Sequence, residues 1–304
     1  MLCTLLLVIS ARMIFADVSP YIYVLGISQD AGYPQAGCYR AHCMPAWTEP
    51  ANKRLATSLA VVDGQHRTKY LFEATPDMPE QLFRLHSVAP DETYALGGVF
   101  LTHAHIGHYT GLMHFGREAI GAQEVPVYAM PKMRKFLSSN GPWDQLVRLR
   151  NVLLQPLAAD EAITLSPQLV VTPLLVPHRD EYSETVAYLI RGPAKSALFV
   201  PDINKWEVWD KDIRELVRRV DYALLDATFF AAGEIPGRNM EDIPHPFVDE
   251  SLKLFGDLDD AEKHRIIFIH FNHTNPLLID GSAAQRKVQS LGFRIATEGM
   301  RLEL

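Results

Sequence analysis

Short apolar runs rich in β-branched residues alternate along the chain with segments of helical spacing, which predicts one α/β domain of many strands. The first strand is expected at Tyr21–Gly26, and a hairpin around Gly64 is expected to join Ser58–Asp63 to 69–73. Further strands are predicted at 98–102, 125–130, 169–176, 185–191, 197–200, 222–225 and 265–270, and helices at 80–86, 133–138, 212–220, 249–255 and 283–291.

The first nine residues are almost wholly apolar, and Ile14-Phe15-Ala16 could be read by a signal peptidase. Because the run is too short to span a bilayer, the pattern predicts a signal peptide over residues 1–16, ahead of a domain at 17–304. Such a protein would be periplasmic or secreted, with no stable membrane insertion after cleavage. The alternative is a misassigned start codon or a buried first strand, in which case the protein would be cytoplasmic.

Composition narrows the class of partner. The 304 residues are 48% hydrophobic and 21% charged, as in an ordinary globular protein with a sizeable core. The net charge is -7, and the 29 lysines and arginines are scattered rather than gathered in the basic stretch that nucleic acid would need. A small-molecule substrate is therefore expected and nucleic acid is not, while the oligomeric state stays open.

Three histidines lie within six residues, directly after the strand predicted at 98–102. In an extended turn, His103 and His105 point the same way and can bind one metal ion together, while His108, beyond Gly107, can face a second position. Imidazole nitrogen is the commonest neutral ligand for zinc and for iron. This spacing predicts a metal site in the loop.

A complete coordination sphere needs further ligands, and three candidates follow apolar segments later in the chain. His178 follows 174–177, Asp202 follows 197–201 and His270 follows 266–269. Their recurrence after apolar strands is better explained by ligation than by chance.

The order His-x-His-x-x-His, then His, Asp and His resembles the metallo-β-lactamase superfamily, and Ala74-Thr75-Pro76-Asp77 is similar to its first motif. Within the superfamily, four segments resemble the B protein of pyrroloquinoline-quinone biosynthesis: 32–35 with the cysteines that follow, Thr75-Pro76-Asp77, 270–276 and 299–304. The cysteine loop and a His-x-x-His spacing also resemble the cyclic-phosphate phosphodiesterase of phosphonate breakdown.

The resemblance runs from about Tyr21 to the last residue and implies a single-domain αβ/βα four-layer sandwich. It implies one metal ion on His103, His105 and His178, a second on His108 and His270, Asp202 as the bridge between them, and Asp77 as the residue that orients the histidine loop. Zinc is expected, as one or two ions, with iron or manganese as alternatives. A metal-bound hydroxide would then hydrolyse a small ester, and a phosphodiester or cyclic phosphate is the expected substrate.

One position departs from the superfamily motif. Gly107 stands where the motif has an aspartate that binds the second metal ion. The second position is therefore expected to have one anionic ligand fewer and to bind its ion weakly, or to leave a mononuclear site. On sequence alone, Gly107→Asp should strengthen it.

The cysteine loop predicts a separate, structural site. Cys38 and Cys43 match the outer cysteines of the phosphodiesterase pattern, His273 matches its histidine, and His42 could supply the fourth ligand of a zinc ion. One alternative is a Cys38–Cys43 disulfide, since export would place both thiols in an oxidising compartment. The other is two free thiols, with His273 only hydrogen-bonded.

Two more residues and two rival functions complete the expectations. His245 lies where related hydrolases place a histidine that protonates the leaving group, and Arg179 could bind an anionic substrate or pair with a nearby carboxylate. The rival functions are an iron-dependent oxygenase, like the quinone-biosynthesis protein, and a non-catalytic metal- or ligand-binding protein.

Overall fold

The structure is a computed structural model that describes residues 19–304. The expected signal peptide at 1–16 lies outside the described residues. The strands are β1 (Tyr21–Gly26), β2 (Ser58–Asp63), β3 (Thr68–Phe72), β4 (Ala95–Phe100), β5 (Val125–Ala129), β6 (Val152–Pro156), β7 (Ile163–Ser166), β8 (Leu169–Leu175), β9 (Val186–Arg191), β10 (Ser196–Val200), β11 (Tyr222–Asp226), β12 (Ile266–Ile269), β13 (Arg294–Ile295) and β14 (Arg301–Glu303).

Short helices connect and cover these strands. They are α1 (Met44–Thr48), α2 (Met78–Val88), α3 (Ile106–Tyr109), α4 (Pro131–Ser139), α5 (Trp143–Arg148), α6 (Ile213–Arg218), α7 (Val248–Leu254), α8 (Asp260–Arg265) and α9 (Ala283–Ser290). Among the described residues, none of these helices has the length and apolarity that a bilayer span would need.

The strands form two seven-stranded sheets, ordered β14-β1-β2-β3-β4-β5-β6 and β13-β12-β11-β10-β9-β8-β7. Side chains alternate across the first sheet, so that Ile22 and Val24 face the core between the sheets while Tyr21 and Leu25 pack with the helices outside. Across the central core, the rings of Phe72 and Tyr188 lie 5.3 Å apart. Helices cover both outer faces, which gives the expected αβ/βα four-layer sandwich.

The elements predicted from periodicity are present, and the hairpin pairs as expected, with Leu59 opposite Phe72. The strands that the prediction missed are β6, β7, β13 and β14. They are short or lie at or next to sheet edges, so their apolar pattern is weak. The pairing of β1 with β14 joins the two ends of the described chain, which no local pattern can reveal.

The direction of the strands determines where the residues of the candidate site lie. Strands β3 to β6 run parallel to one another, as do β10, β11 and β12. Parallel strands end at the same edge of a sheet, so the segments that follow β10, β11 and β12 lie at one edge of the second sheet, and the segment that follows β4 meets them there from the first sheet.

Candidate metal centre

Imidazoles and carboxylates from distant parts of the chain converge at this edge. The loop after β4 carries three of the histidines, and the segments after β8, β10 and β12 supply the others with an aspartate. The structure thus brings together all six residues expected as metal ligands: His103, His105, His108, His178, Asp202 and His270. All are buried except His105, which is partly exposed.

The first group of ligand atoms surrounds one side of Asp202. His103 Nε2 lies 2.8 Å from His105 Nδ1 and 3.4 Å from Asp202 Oδ2. His178 Nε2 lies 3.3 Å from Asp202 Oδ1. Three imidazoles and a carboxylate are a donor set that divalent zinc and iron both accept.

The second group shares the same carboxylate. His108 Nε2 is 3.5 Å from Asp202 Oδ2 and 3.1 Å from Asp30 Oδ1. His270 Nε2 is 3.8 Å from Asp30 Oδ1. Because Asp202 belongs to both groups, it is placed to bridge two ions.

Some of these atoms lie at a separation that fits coordination and make no hydrogen bond. Ligand atoms at about 2.0–2.1 Å from a tetrahedral ion lie ~3.3 Å from one another. His178 Nε2 and Asp202 Oδ1 have this separation, yet both are buried and neither makes a hydrogen bond. His270 Nε2 is likewise buried without a hydrogen-bond partner. Buried polar atoms without partners are costly, and one cation in each of the two groups would satisfy these three atoms.

Hydroxyl groups fix the protonation of two of the imidazoles. The Thr102 hydroxyl donates to Glu73, so it accepts from His103 Nδ1, 2.9 Å away. The Thr228 hydroxyl donates to Asp226 and accepts from His270 Nδ1 at 3.0 Å in the same way. With the proton on Nδ1, each Nε2 presents its lone pair to the centre.

The charges at the centre call for cations. Glu73, Asp202 and Asp226 are buried, and their ion pairs in the described part of the chain are all with histidines. Burial alone would raise the pKa of Asp202, but His178, His245 and His270 hold it well below its usual range. Buried carboxylates without lysine or arginine partners are stabilised by divalent metal ions.

The backbone is constrained where it supplies these groups. Glu73, His270 and Asp30 have positive φ angles of 81°, 68° and 29°. Residues other than glycine are strained in this region by about 1–3 kcal/mol, and such strain is concentrated at functional sites. Three of the groups around the second ligand set are held in this way.

Asp77 does not meet its prediction. Its carboxylate accepts a hydrogen bond from the backbone amide of Ala56 at 2.8 Å, which ties α2 to the chain before β2. Glu73, which follows β3, contacts the histidine loop instead, since it accepts a hydrogen bond from the Thr102 hydroxyl and its Oε1 lies 3.3 Å from His108 Nδ1. The positive φ of Glu73 turns this side chain toward the histidine loop, a feature that the sequence motif does not carry.

His245 is buried against the centre, as its prediction requires. Its Nδ1 lies 2.8 Å from Asp226 Oδ2 and 3.2 Å from Asp202 Oδ1. Burial would lower the pKa of His245, but Asp226 and Asp202 outweigh it and raise this pKa to about 9. Asp226 was missed as a site residue, although it ends an apolar strand just before the edge, which is the signal that identified Asp202.

Two charged residues that follow His178 lie near the histidine loop. Glu181 Oε2 lies 3.0 Å from His105 Nε2 and orients that ring; nothing in the sequence singled it out. Arg179 is 57% exposed, and its guanidinium lies 4.0 Å from Glu181. The structure therefore places Arg179 with a carboxylate, the second of the two roles expected of it.

The expectation of a missing carboxylate at the second position does not hold. Asp30 lies there, contributed by the loop after β1. The structure also argues against a gain from Gly107→Asp, because a Cβ at position 107 would lie 2.3 Å from Asp30 Cα.

The four residues of the expected structural site are also together. Cys38, His42, Cys43 and His273 place one ligand atom each within 4.8 Å of one another. Cys38 Sγ lies 3.4 Å from His42 Nε2, and both cysteines are free thiols in the structure. Burial, then His42 and Arg40, lower the pKa of His273 to about 4, so its imidazole is neutral and able to bind a metal at neutral pH.

Comparison of the chain with known proteins identifies its family. The model of the beta-lactamase superfamily domain matches residues 68–271, more than half of the chain. The chain belongs to the beta-lactamase superfamily. Within it, the chain is 29% identical to coenzyme PQQ synthesis protein B of Methylobacterium sp. (strain 4-46), over 92% of this chain and 99% of that protein.

Solved structures of the superfamily share the fold. Zn(2+)-bound PqqB from Methylobacterium extorquens has a TM-score of 0.79 at 23% identity, over 93% of this chain and all of that one. A diphosphatase from the PhnP family has a TM-score of 0.64 at 25% identity, over 94% and 97%. The fold and the resemblance to these two branches, both expected from the sequence, are confirmed.

Proposed function

We propose that this protein is a metal-dependent hydrolase of a small phosphodiester or cyclic phosphate. The observation that carries the proposal is the pair of imidazole groups that share Asp202, since this arrangement can hold two ions side by side. His103, His105 and His178 would hold one ion, and His108 and His270 the other. Zinc suits both groups of ligands.

Divalent ions in such centres activate a water molecule and polarise the bond that it attacks. The chain's own residues contribute orientation and a proton. Thr102 and Thr228 hold the rings of His103 and His270 in the tautomer that binds metal. Because His245 meets the carboxylates through Nδ1, its Nε2 is the atom that can deliver a proton to the leaving oxygen.

The choice of a phosphorus ester draws on the relatives. The PhnP-family protein that shares the fold at 25% identity is described as a diphosphatase. The chain is also similar to proteins named for coenzyme PQQ synthesis, and the oxygenase expected from that resemblance is the rival, so the experiment must separate hydrolysis from oxidation.

The test is metal analysis and turnover of protein purified without added metal. We expect zinc at the centre and hydrolysis of bis(p-nitrophenyl) phosphate or a nucleoside 2′,3′-cyclic phosphate. His105→Ala, which removes a partly exposed ligand, should lose most of the first ion and all hydrolysis. Iron with oxygen consumption would favour the oxygenase, and a fully loaded protein that hydrolyses none of the esters would contradict the proposal.

His245→Gln is expected to slow hydrolysis according to the leaving group. A poor leaving group such as an alkoxide needs the proton, so its kcat should fall by ~10²–10⁴-fold. The p-nitrophenolate group leaves without protonation, and its release should change far less. Metal content should stay at the parent level, and His66→Gln, which alters a histidine bound to Asp63 instead, is the matched control. An equal loss with both leaving groups would argue against proton donation.

A further inference from the structure

We infer that Asp30 is a ligand of the second metal ion and takes the place of the aspartate that the superfamily motif has at position 107. This inference rests on the proposed metal centre, but not on the reaction assigned to it. Asp30 lies 77 positions before Gly107 in the sequence, so the carboxylate reaches the centre from a different loop.

The space around Gly107 is the first observation. A Cβ built on Gly107 would lie 2.3 Å from Asp30 Cα and 2.7 Å from both Asp30 Cβ and Asp30 Oδ1. The region into which a side chain at 107 would extend is therefore filled by Asp30 itself. Asp30 can lie in this position only because residue 107 is a glycine.

The second observation is where the Asp30 carboxylate points. Its Oδ1 is 3.1 Å from His108 Nε2 and 3.8 Å from His270 Nε2, and the latter atom is buried without a hydrogen-bond partner. With Asp202, these residues form a group whose ligand atoms all lie within 4.8 Å of one another. Two imidazoles and two carboxylates give the second position the same number of anionic ligands as the motif would.

The third observation is that the backbone holds Asp30 relative to His270. Gln29 donates to the carbonyl of Phe271, and Phe271 donates to the carbonyl of Ile27, both at 2.8 Å. The loop after β1 and the segment after β12 are therefore joined directly beside these two residues. Asp30 keeps a positive φ in this loop, as expected of a side chain fixed for a purpose.

The simpler explanation is that Asp30 only pairs with a protonated His108. That role predicts lower stability without Asp30 but unchanged metal affinity. Titration of metal-free protein with Zn²⁺ alone, followed by calorimetry, separates the two. We expect Asp30→Asn, which keeps the shape of the side chain, to weaken the second active-centre ion by ~10-fold or more and to leave the other ions unchanged.

Two further variants test whether the loss of zinc affinity comes from the second ligand group. In a His270→Ala background, Asp30→Asn should add little further loss, because both changes act on the same ion. Asp280→Asn, which removes an exposed carboxylate paired with Arg54, should bind zinc like the parent. An Asp30→Asn protein whose second ion binds as tightly as in the parent would overturn the inference, as would a parent that binds no ion at His108 and His270.

Gly107 gives an independent test that substitutes none of the ligand residues. Gly107→Ala should displace Asp30 and weaken the second ion, and Gly107→Asp should give no gain. A Gly107→Asp protein that binds the second ion more tightly than the parent would also overturn the inference. Thermal melts in chelator confirm that the variants are folded. Since the readout is zinc binding, a failure to find a hydrolysed substrate would leave this test unaffected.

Discussion

Asp202→Ala should release both active-centre metal ions and, with them, all hydrolysis. Its two oxygens lie 3.3–3.5 Å from ligand nitrogens of His178, His103 and His108, so one substitution removes a ligand from each group. Residues that only orient metal ligands cost about 10–100-fold in affinity when mutated, and loss of a shared ligand should exceed ~100-fold for each ion. Metal content after dialysis against a weak chelator measures the loss.

The matched control for this variant is Asp221→Asn, because Asp221 is an exposed carboxylate at the start of the neighbouring strand, where it accepts from the Ser196 amide. It should keep both ions and full turnover. If Asp202→Ala retained either ion at parental affinity, the bridging role would have to be abandoned for that ion.

His273→Ala should unlink two distant segments of the chain and lower the thermal stability of the whole domain. With Cys38, His42 and Cys43, His273 would hold a structural zinc that forms only in the folded state. Loss of several kcal/mol of metal-linked stability, at about 2–4 °C per kcal/mol, corresponds to a fall in Tm of ~10 °C or more. Zinc content should drop by one ion while the active-centre metal stays.

The exposed His264 at the end of α8 provides the comparison, since His264→Ala should change neither zinc content nor Tm. Mass spectrometry of the native protein checks the rival explanation. A Cys38–Cys43 crosslink in the untreated protein, together with unchanged zinc in His273→Ala, would establish a disulfide in place of the metal site.

The site residues that could be predicted from the sequence are those that come directly after a strand. His103, Asp202 and His270 could be predicted because apolar runs before them mark strands, and parallel strands bring the residues at their ends to one edge. Asp226 carried the same signal and could have been included. Site residues in loops could not be predicted, because hydrophobic periodicity does not show which loop residues face the metal centre.

Asp77 and Asp30 illustrate that limit in opposite directions. Asp77 matches a motif, yet its carboxylate meets a backbone amide, and the neighbouring Glu73 reaches His108 because its φ is positive. Asp30 matches no motif, but two loops bonded through Phe271 place it at the second ligand group. Contacts of this kind depend on tertiary structure rather than on local sequence.

The segment after β12 serves both clusters, because His270 belongs to the active centre and His273, three residues later, to the cysteine site. The loop after β1 does the same through Asp30 and, further along, Cys38. Metal binding at one cluster would therefore order the two segments that the other cluster also uses. Such linkage is reciprocal, so an ion bound in either cluster would raise the affinity of the other for zinc, although each cluster keeps its own ligands.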